Sequence, residues 1–261
     1  MPGTDEGPAG RQGPFDRPAE IQAYYRDPTV VGEYIKRRTA QPLNGLLHRR
    51  QVEFINQVLR ERQPQRVLEI APGPARLTAE LDFRGPIVAV DGSWEMLLLA
   101  HQRLRQRSGP WQLARGDAFV LPIADHCVDL AFAIRFIRRF PVEMRQRLYG
   151  EVRRVLRPGG GLILDAQNRA IALPHRERKG LDRYKVYDAL YDRDELIAEL
   201  EGAGFAIRRI EGIIGHFAWQ SRINRLRRRG LTQVASWLIQ LLERVPSSAP
   251  STWMVLAEVR A

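Results

Sequence analysis

The stretch Val67-Leu68-Glu69-Ile70-Ala71-Pro72-Gly73-Pro74-Ala75-Arg76-Leu77 joins an apolar, strand-like run to a turn of small residues and then to a segment of helical spacing. Such a run reads as a strand covered on both faces, as in a parallel sheet layered with helices. A turn made of Ala, Pro and Gly lets the backbone approach a ligand at the carboxyl end of that sheet. Outward from it, apolar runs at 87–91, 111–115, 128–133 and 161–165 alternate with helical patterns at 75–81, 93–107 and 142–156. A helix at 192–203, ended by Gly204, and strands at 205–214 and 252–259 complete an α/β pattern. Pro158-Gly159-Gly160-Gly161 is expected to stop the 142–156 helix through a left-handed glycine cap.

The chain has 261 residues, enough for one sizeable α/β core and too few for a second full domain. Residues 1–18, rich in Gly, Pro and charge, read as a disordered leader without the apolar core of a secretory signal, so the expected location is cytoplasmic. Residues 19–63 read as a helical cover, with Tyr24, Tyr34 and Arg38 facing the ligand or the sheet edge. Residues 64–261 form the main domain, with a helical insertion at 216–250. There is no run of roughly eighteen uncharged apolar residues of the kind a membrane span needs. Cys127, the single cysteine, reads as a small core residue; it excludes an intrachain disulfide and a cysteine-based metal site, and no metal is expected. The net charge is +11, but all basic residues except Lys36, Lys179 and Lys185 are arginine and they are spread along the chain. That bias has the look of a GC-rich coding sequence and is weak evidence for a nucleic-acid partner.

Two carboxylates follow the first turn in an informative order. Asp91 ends the second apolar run, eighteen positions beyond Gly73, where it can accept hydrogen bonds from both hydroxyls of an adenosine ribose. Its alternative role is to cap the helix that starts at Ser93. Asp117, in Ala114-Arg115-Gly116-Asp117-Ala118 after the third run, is placed to accept a hydrogen bond from the adenine amine.

These pieces, together with Val155-Leu156-Arg157-Pro158-Gly159-Gly160-Gly161, resemble the class I S-adenosylmethionine-dependent methyltransferases over about residues 66–165, and within them the quinone-biosynthesis and related small-molecule enzymes. The resemblance implies a Rossmann-like, mostly parallel seven-stranded sheet with helices on both faces and an antiparallel last strand. It implies S-adenosyl-L-methionine as cofactor, with Glu69, Ala71, Pro72 and Gly73 against its amino acid part. Asp91 would then hold the ribose beside Gly92, Ser93 and Met96, Asp117 and Ala118 would face the adenine, and Ala133 to Arg135 the methionine part and the acceptor. The family's turn usually carries three alternating glycines; here Ala71 and Ala75 flank the one that remains, Gly73. A nicotinamide dehydrogenase shares the strand, turn and acidic residue, but residues 71–76 lack the G-x-G-x-x-G spacing that presents amides to a pyrophosphate.

The expected partner is a small organic methyl acceptor, lipophilic or acidic. Arg135 or Arg138, after the fourth strand, could pair with an acidic one, or both could lie on a solvated helix start. His175, Tyr184, Tyr187 and His216 are candidates for a base, and no catalytic residue is assigned. In the insertion, Arg222, Arg225, Arg227, Arg228 and Arg229 precede a helix with Leu231, Val234, Leu238, Leu241, Leu242 and Val245 on one face. The favoured reading is a lid packed on its own domain; peripheral membrane contact through 222–245 is the alternative. Two other functions stay open: an RNA methyltransferase, supported by charge alone, and a non-catalytic partner subunit, suggested by Ala71 and Ala75. Nothing in the sequence fixes an oligomeric state.

Overall fold

The computed structural model describes residues 41–184 and 186–260. The expected leader and the first half of the expected cover, with Tyr24, Tyr34 and Arg38, lie outside the described residues. Helix α1 (Pro42–Arg62) starts on a proline, whose missing amide costs nothing in a first turn, and stops where Gln63 turns left-handed. After it come β1 (Val67–Ile70), β2 (Ile87–Asp91), α2 (Trp94–Leu104), β3 (Trp111–Arg115), β4 (Val128–Ala133), α3 (Val142–Val155) and β5 (Leu156–Asn168). The second half consists of α4 (Arg169–Lys179), β6 (Leu190–Tyr191), α5 (Arg193–Gly202), β7 (Phe205–Ile213), α6 (Phe217–Ile223), α7 (Thr232–Glu243) and β8 (Thr252–Val259).

The strands lie in the order β3-β2-β1-β4-β5-β8-β7, and the two-residue β6 pairs with the far end of β5. β8 is antiparallel to both neighbours and the other pairs are parallel, so the fold is the Rossmann-like sheet expected, with one very short strand added. Strand side chains alternate between two cores. Leu68, Ile70, Ala131, Leu162 and Leu164 share one with Tyr149 and Val152 of α3 and Leu196 and Leu200 of α5. Val67, Leu130, Phe132 and Ile163 meet Phe54, Ile55, Val58 and Leu59 of α1 on the other. The strand order reverses between β1 and β4, which opens a crevice beyond their carboxyl ends.

Two expected helical features differ. The 75–81 segment is a single turn of 3-10 helix at Thr78–Glu80, because Pro72 and Pro74 remove amides and Ala75 is left-handed (φ 49°), which delays any helical start. The glycines at 159–161 do not cap α3: Leu156 is already extended, and residues 157–160 form a bulge in β5, between the pairs Val128↔Leu156 and Leu130↔Gly161. By contrast, α5 has the capping box Asp192/Glu195 that its sequence announces, and it ends at left-handed Gly204.

A buried ionic joint fastens the second half of the sheet. Arg138, 3% exposed, reaches Asp188 at 2.5 Å and Asp165 at 3.5 Å, and Arg176 pairs with the other Asp188 oxygen. Burial alone would raise the Asp188 carboxyl, but Arg138, Arg139 and Arg176 outweigh it and hold it at about 2. Arg138 is therefore neither solvated nor an acceptor ligand, contrary to both readings of it. Arg145 pairs with Glu199, which also accepts from Tyr149 and Tyr191.

Ala71 and Ala75 have the same left-handed conformation, at φ 54° and 49°, but different surroundings. A Cβ in that region costs about 1–2 kcal/mol, while glycine costs about 0.5–1 kcal/mol of unfolded-state entropy. Ala71→Gly should therefore raise the melting temperature by about 2 °C in scanning calorimetry. Ala75→Gly should leave it nearly unchanged, because the Ala75 methyl is fully buried beside Ala100 and Leu104 and its loss offsets the relief.

Candidate functional site

The crevice between β1 and β4 holds a cavity lined by Glu69, the 71–73 turn, Asp91, Gly92, Ser93, Met96, Asp117 and Ala118. These are the residues singled out in the sequence, with one exception. Ala133 is 1% exposed inside the core below, and its neighbours Ile134 and Arg135 line the cavity instead. Along a strand the side chains alternate, and Ala133 falls on the buried side.

Asp91 ties the first two βα turns together. One carboxylate oxygen accepts the Gly73 amide at 2.9 Å and the other the Ser93 amide at 2.9 Å. Burial raises its pKa, opposed by hydrogen bonds from the Ser93, Gly73 and Gly92 amides. The cap of α2 is Ser93, whose hydroxyl accepts the Met96 amide at 3.2 Å, so the helix-cap reading of Asp91 is replaced by a clamp between turns. The carboxylate's acceptor sites outnumber these amides, which leaves it able to accept from a ligand as well. Asp117 organises the third turn in the same way, accepting the Phe119 amide at 2.9 Å.

The turn after β1 excludes a phosphate. Pro72 and Pro74 have no amide, while Ala71 donates to the Val90 carbonyl, Gly73 to Asp91 and Ala75 to the Pro72 carbonyl. Across residues 71–75 no amide is left to cradle a pyrophosphate, which counts against the dinucleotide reading. What the cavity offers instead is three carboxylates, Glu69, Asp91 and Asp117, in a lining shared with Arg76, Arg135 and Arg139. Glu69 is fully buried on the α1 side of β1 and accepts a hydrogen bond from the Thr78 hydroxyl. Burial pushes its carboxyl up to about 7, against the opposing pull of Thr78 and Arg76. A cationic, phosphate-free nucleoside suits this lining.

Sequence reasoning missed one wall of the cavity. Phe119, Phe136 and Phe140 pack edge to face, with centroids 5.3 and 5.1 Å apart, and Arg139 lies beside them. Their spacing of 17 and 4 positions has no periodicity to expose it; the fold brings the segments together. Arg135 lines the cavity in a left-handed conformation (φ 63°), its amide bonded to Asp165 at 2.5 Å. Arg135 and Arg76 also line a second, adjoining cavity with Arg103, His48, Gln51 and Glu80. There Arg76 is held by His48 and Gln51, Arg103 donates to the Pro74 carbonyl at 3.3 Å, and His48 meets Glu80 at 2.9 Å. Burial and then Arg76 lower the His48 pKa, keeping the ring neutral between these partners.

The four candidate bases line neither cavity. His216 lies 3.0 Å from the Val245 carbonyl within the insertion, His175 packs on Phe217, Tyr184 lies under Arg176, and the Tyr187 carbonyl accepts from Arg139. Among the described residues there is no cluster of three or more His, Cys, Asp or Glu able to hold a metal, and no helix long and apolar enough to cross a membrane. The insertion packs on the domain through Phe217, Ile223 and Ile239 and contributes no lining residue to either cavity.

A carboxylate-lined cavity at the reversal point of a doubly wound sheet, without amides for phosphate, defines a Rossmann-like nucleoside site of the non-dinucleotide class. Residues 67–160 match the family described as Methyltransferase domain. The chain is 26% identical over 227 residues to a malonyl-[acyl-carrier protein] O-methyltransferase of Xylella fastidiosa, covering 76% of this chain and 74% of that one. It is 31% identical over 155 residues to the ubiquinone/menaquinone biosynthesis C-methyltransferase UbiE of Nitrosospira multiformis, covering 57% of this chain and 61% of that one. Magnesium protoporphyrin IX methyltransferase of Synechocystis PCC 6803, solved with bound SAH, shares the fold at 13% identity and a TM-score of 0.66, over 94% of this chain and all of the other. Residues 67–160 are thus similar to a methyltransferase domain, and the chain shares its fold with a methyltransferase of known structure.

Glu69 supplies a pH test. Its carboxyl is raised above the unfolded value of 4.5, so the stability from keeping it neutral is complete below about 4.5 and is lost as pH rises through about 7. Denaturant titrations across that window should show the ligand-free protein losing about 3 kcal/mol relative to Glu69→Gln. Parallel pH profiles for the two proteins would refute it.

Proposed function

We propose that the chain moves the methyl group of S-adenosylmethionine to a small organic acceptor carrying an anionic group, held by the arginines of the adjoining cavity. The observation that supports this reading is the junction itself: a pocket with three carboxylates, Glu69, Asp91 and Asp117, shares Arg76 and Arg135 with an adjoining space that adds Arg103 and has one carboxylate, Glu80. When bound, the cofactor would supply an electrophilic methyl on a sulfonium, with S-adenosylhomocysteine as the leaving group. The protein's own part is alignment. Asp91 holds the ribose hydroxyls, and Asp117 and Ala118 receive the adenine. Glu69 ionises against the positive charge of the methionine part. Arg135, fixed in its strained turn by Asp165, and Arg76, fixed by His48 and Gln51, orient the acceptor. Both nitrogens of His48 are engaged, so it positions Arg76 instead of taking a proton. Where the anionic group is itself the nucleophile, as a carboxylate oxygen is, no base is needed.

Titration calorimetry separates the parts of this reading. Wild-type protein should bind S-adenosylmethionine, and Asp91→Ala should weaken that binding at least about tenfold, the loss of a bidentate contact to two hydroxyls. Failure of the wild type to bind at high micromolar cofactor would favour the non-catalytic reading. For the acceptor, release of S-adenosylhomocysteine should be measured with paired carboxylic acids and their amides. Arg135→Ala should raise KM roughly tenfold for the acids and much less for the amides, and equal turnover of acids and amides would remove the anionic acceptor from the proposal.

A further inference from the structure

We propose that the 217–245 segment docks on an anionic lipid bilayer. At about 100° per residue, the apolar residues of α7 cover more than half of its circumference. The protein uses only the edge of that arc: Ala235 and Ile239 are buried in the cluster formed with Leu46 and Ile214. Leu238 and Leu242 are half-buried, while Leu231, Val234, Trp237 and Leu241 are 45–63% exposed and Val245 beyond them is 52% exposed. Trp219, on α6, is 60% exposed with the Arg222 guanidinium 4.9 Å over its ring. The face expected from the sequence to pack inward is therefore largely turned outward.

The charge around this face selects its occupant. Between His216 and Leu242 there is no Asp or Glu, while Arg222, Arg225, Arg227, Arg228 and Arg229 form no ion pair with any described residue. An apolar arc bordered by unopposed arginines, with tryptophans at the margin, matches the boundary between acyl chains and acidic headgroups. A second copy of the chain is a poorer fit, since self-association about a two-fold axis would set one arginine cluster against the other. Nucleic acid would use the arginines and leave Leu231, Val234 and Leu241 in water.

The docking surface is coupled to the second cavity through one helix. α1 packs on α7 through Leu43, Leu46 and Leu47, its Leu43 amide donates to Asn224 at 3.2 Å, and its next turns carry His48 and Gln51 of the arginine-lined cavity. A membrane under α7 thus lies against the back of the helix that lines that cavity. The inference stands on exposure and charge, independently of the methyl-transfer reading.

The full chain should be floated with vesicles of phosphatidylcholine alone and with about a third phosphatidylglycerol. It should bind the anionic vesicles at least about tenfold more tightly, with a blue shift in tryptophan emission. Trp219→Ser/Trp237→Ser and Arg227→Gln/Arg228→Gln/Arg229→Gln should each weaken binding about tenfold while S-adenosylmethionine affinity, or in its absence the melting temperature, stays as in wild type. Binding that survives the tryptophan pair would trace to the net charge of +11 and overturn the proposal. So would absence of binding, retention on RNA that depends on the same residues, or light scattering showing a dimer that the tryptophan variant dissociates.

Discussion

One carboxylate, Asp91, carries two of the three turns that shape the cavity. By accepting the Gly73 and Ser93 amides it fixes how far the first turn leans toward the second, and with that the width of the crevice between them. The turn after β1 depends on this anchor more than a glycine-rich one would. Two of its residues, Ala71 and Ala75, sit in a backbone region that resists side chains, and two prolines block relaxation on either side of Gly73. Local preference does not hold this shape; the amide bonds to Val90, Asp91 and Pro72 do.

The same crevice brings together two buried carboxylates of opposite duty. Burial raises the pKa of both, but at Asp91 three backbone amides oppose it, whereas Glu69 has one hydroxyl partner and the more distant Arg76. The first is a rigid acceptor. The second responds to whatever positive charge arrives.

What the sequence made legible follows from which signals are local. Strand runs such as 87–91 and 128–133 match β2 and β4 because apolar continuity is itself the requirement for a strand covered on both faces. Asp192 and Glu195 announce the start of α5 for the same reason: both partners of the cap lie within one turn. Ten of the eleven residues expected around the ligand line one cavity, since the turns that carry them each follow a strand of the same sheet. The failures are non-local. Pro158 to Gly160 look like a helix stop, but register with β4 makes them a bulge. Arg138 looks solvated until Asp188, fifty residues on, is folded against it. The α7 face is amphipathic by spacing, and spacing does not say which side of the arc the neighbouring helix covers.

The buried joint around Asp188 divides the chain's arginines into two populations. Those at exposed positions such as Arg84 and Arg105 serve as generic positive charge and could drift to lysine without consequence. Arg138, Arg145 and Arg176 use the planar fork to reach two acceptors at once, Asp188 with Asp165, Glu199 with the Phe140 carbonyl, and Asp188 with Gln167. A lysine ammonium, a single point on a flexible stem, spans none of the three pairs. Whatever mutational bias filled this sequence with arginine, at these three sites the choice is structural and no longer exchangeable.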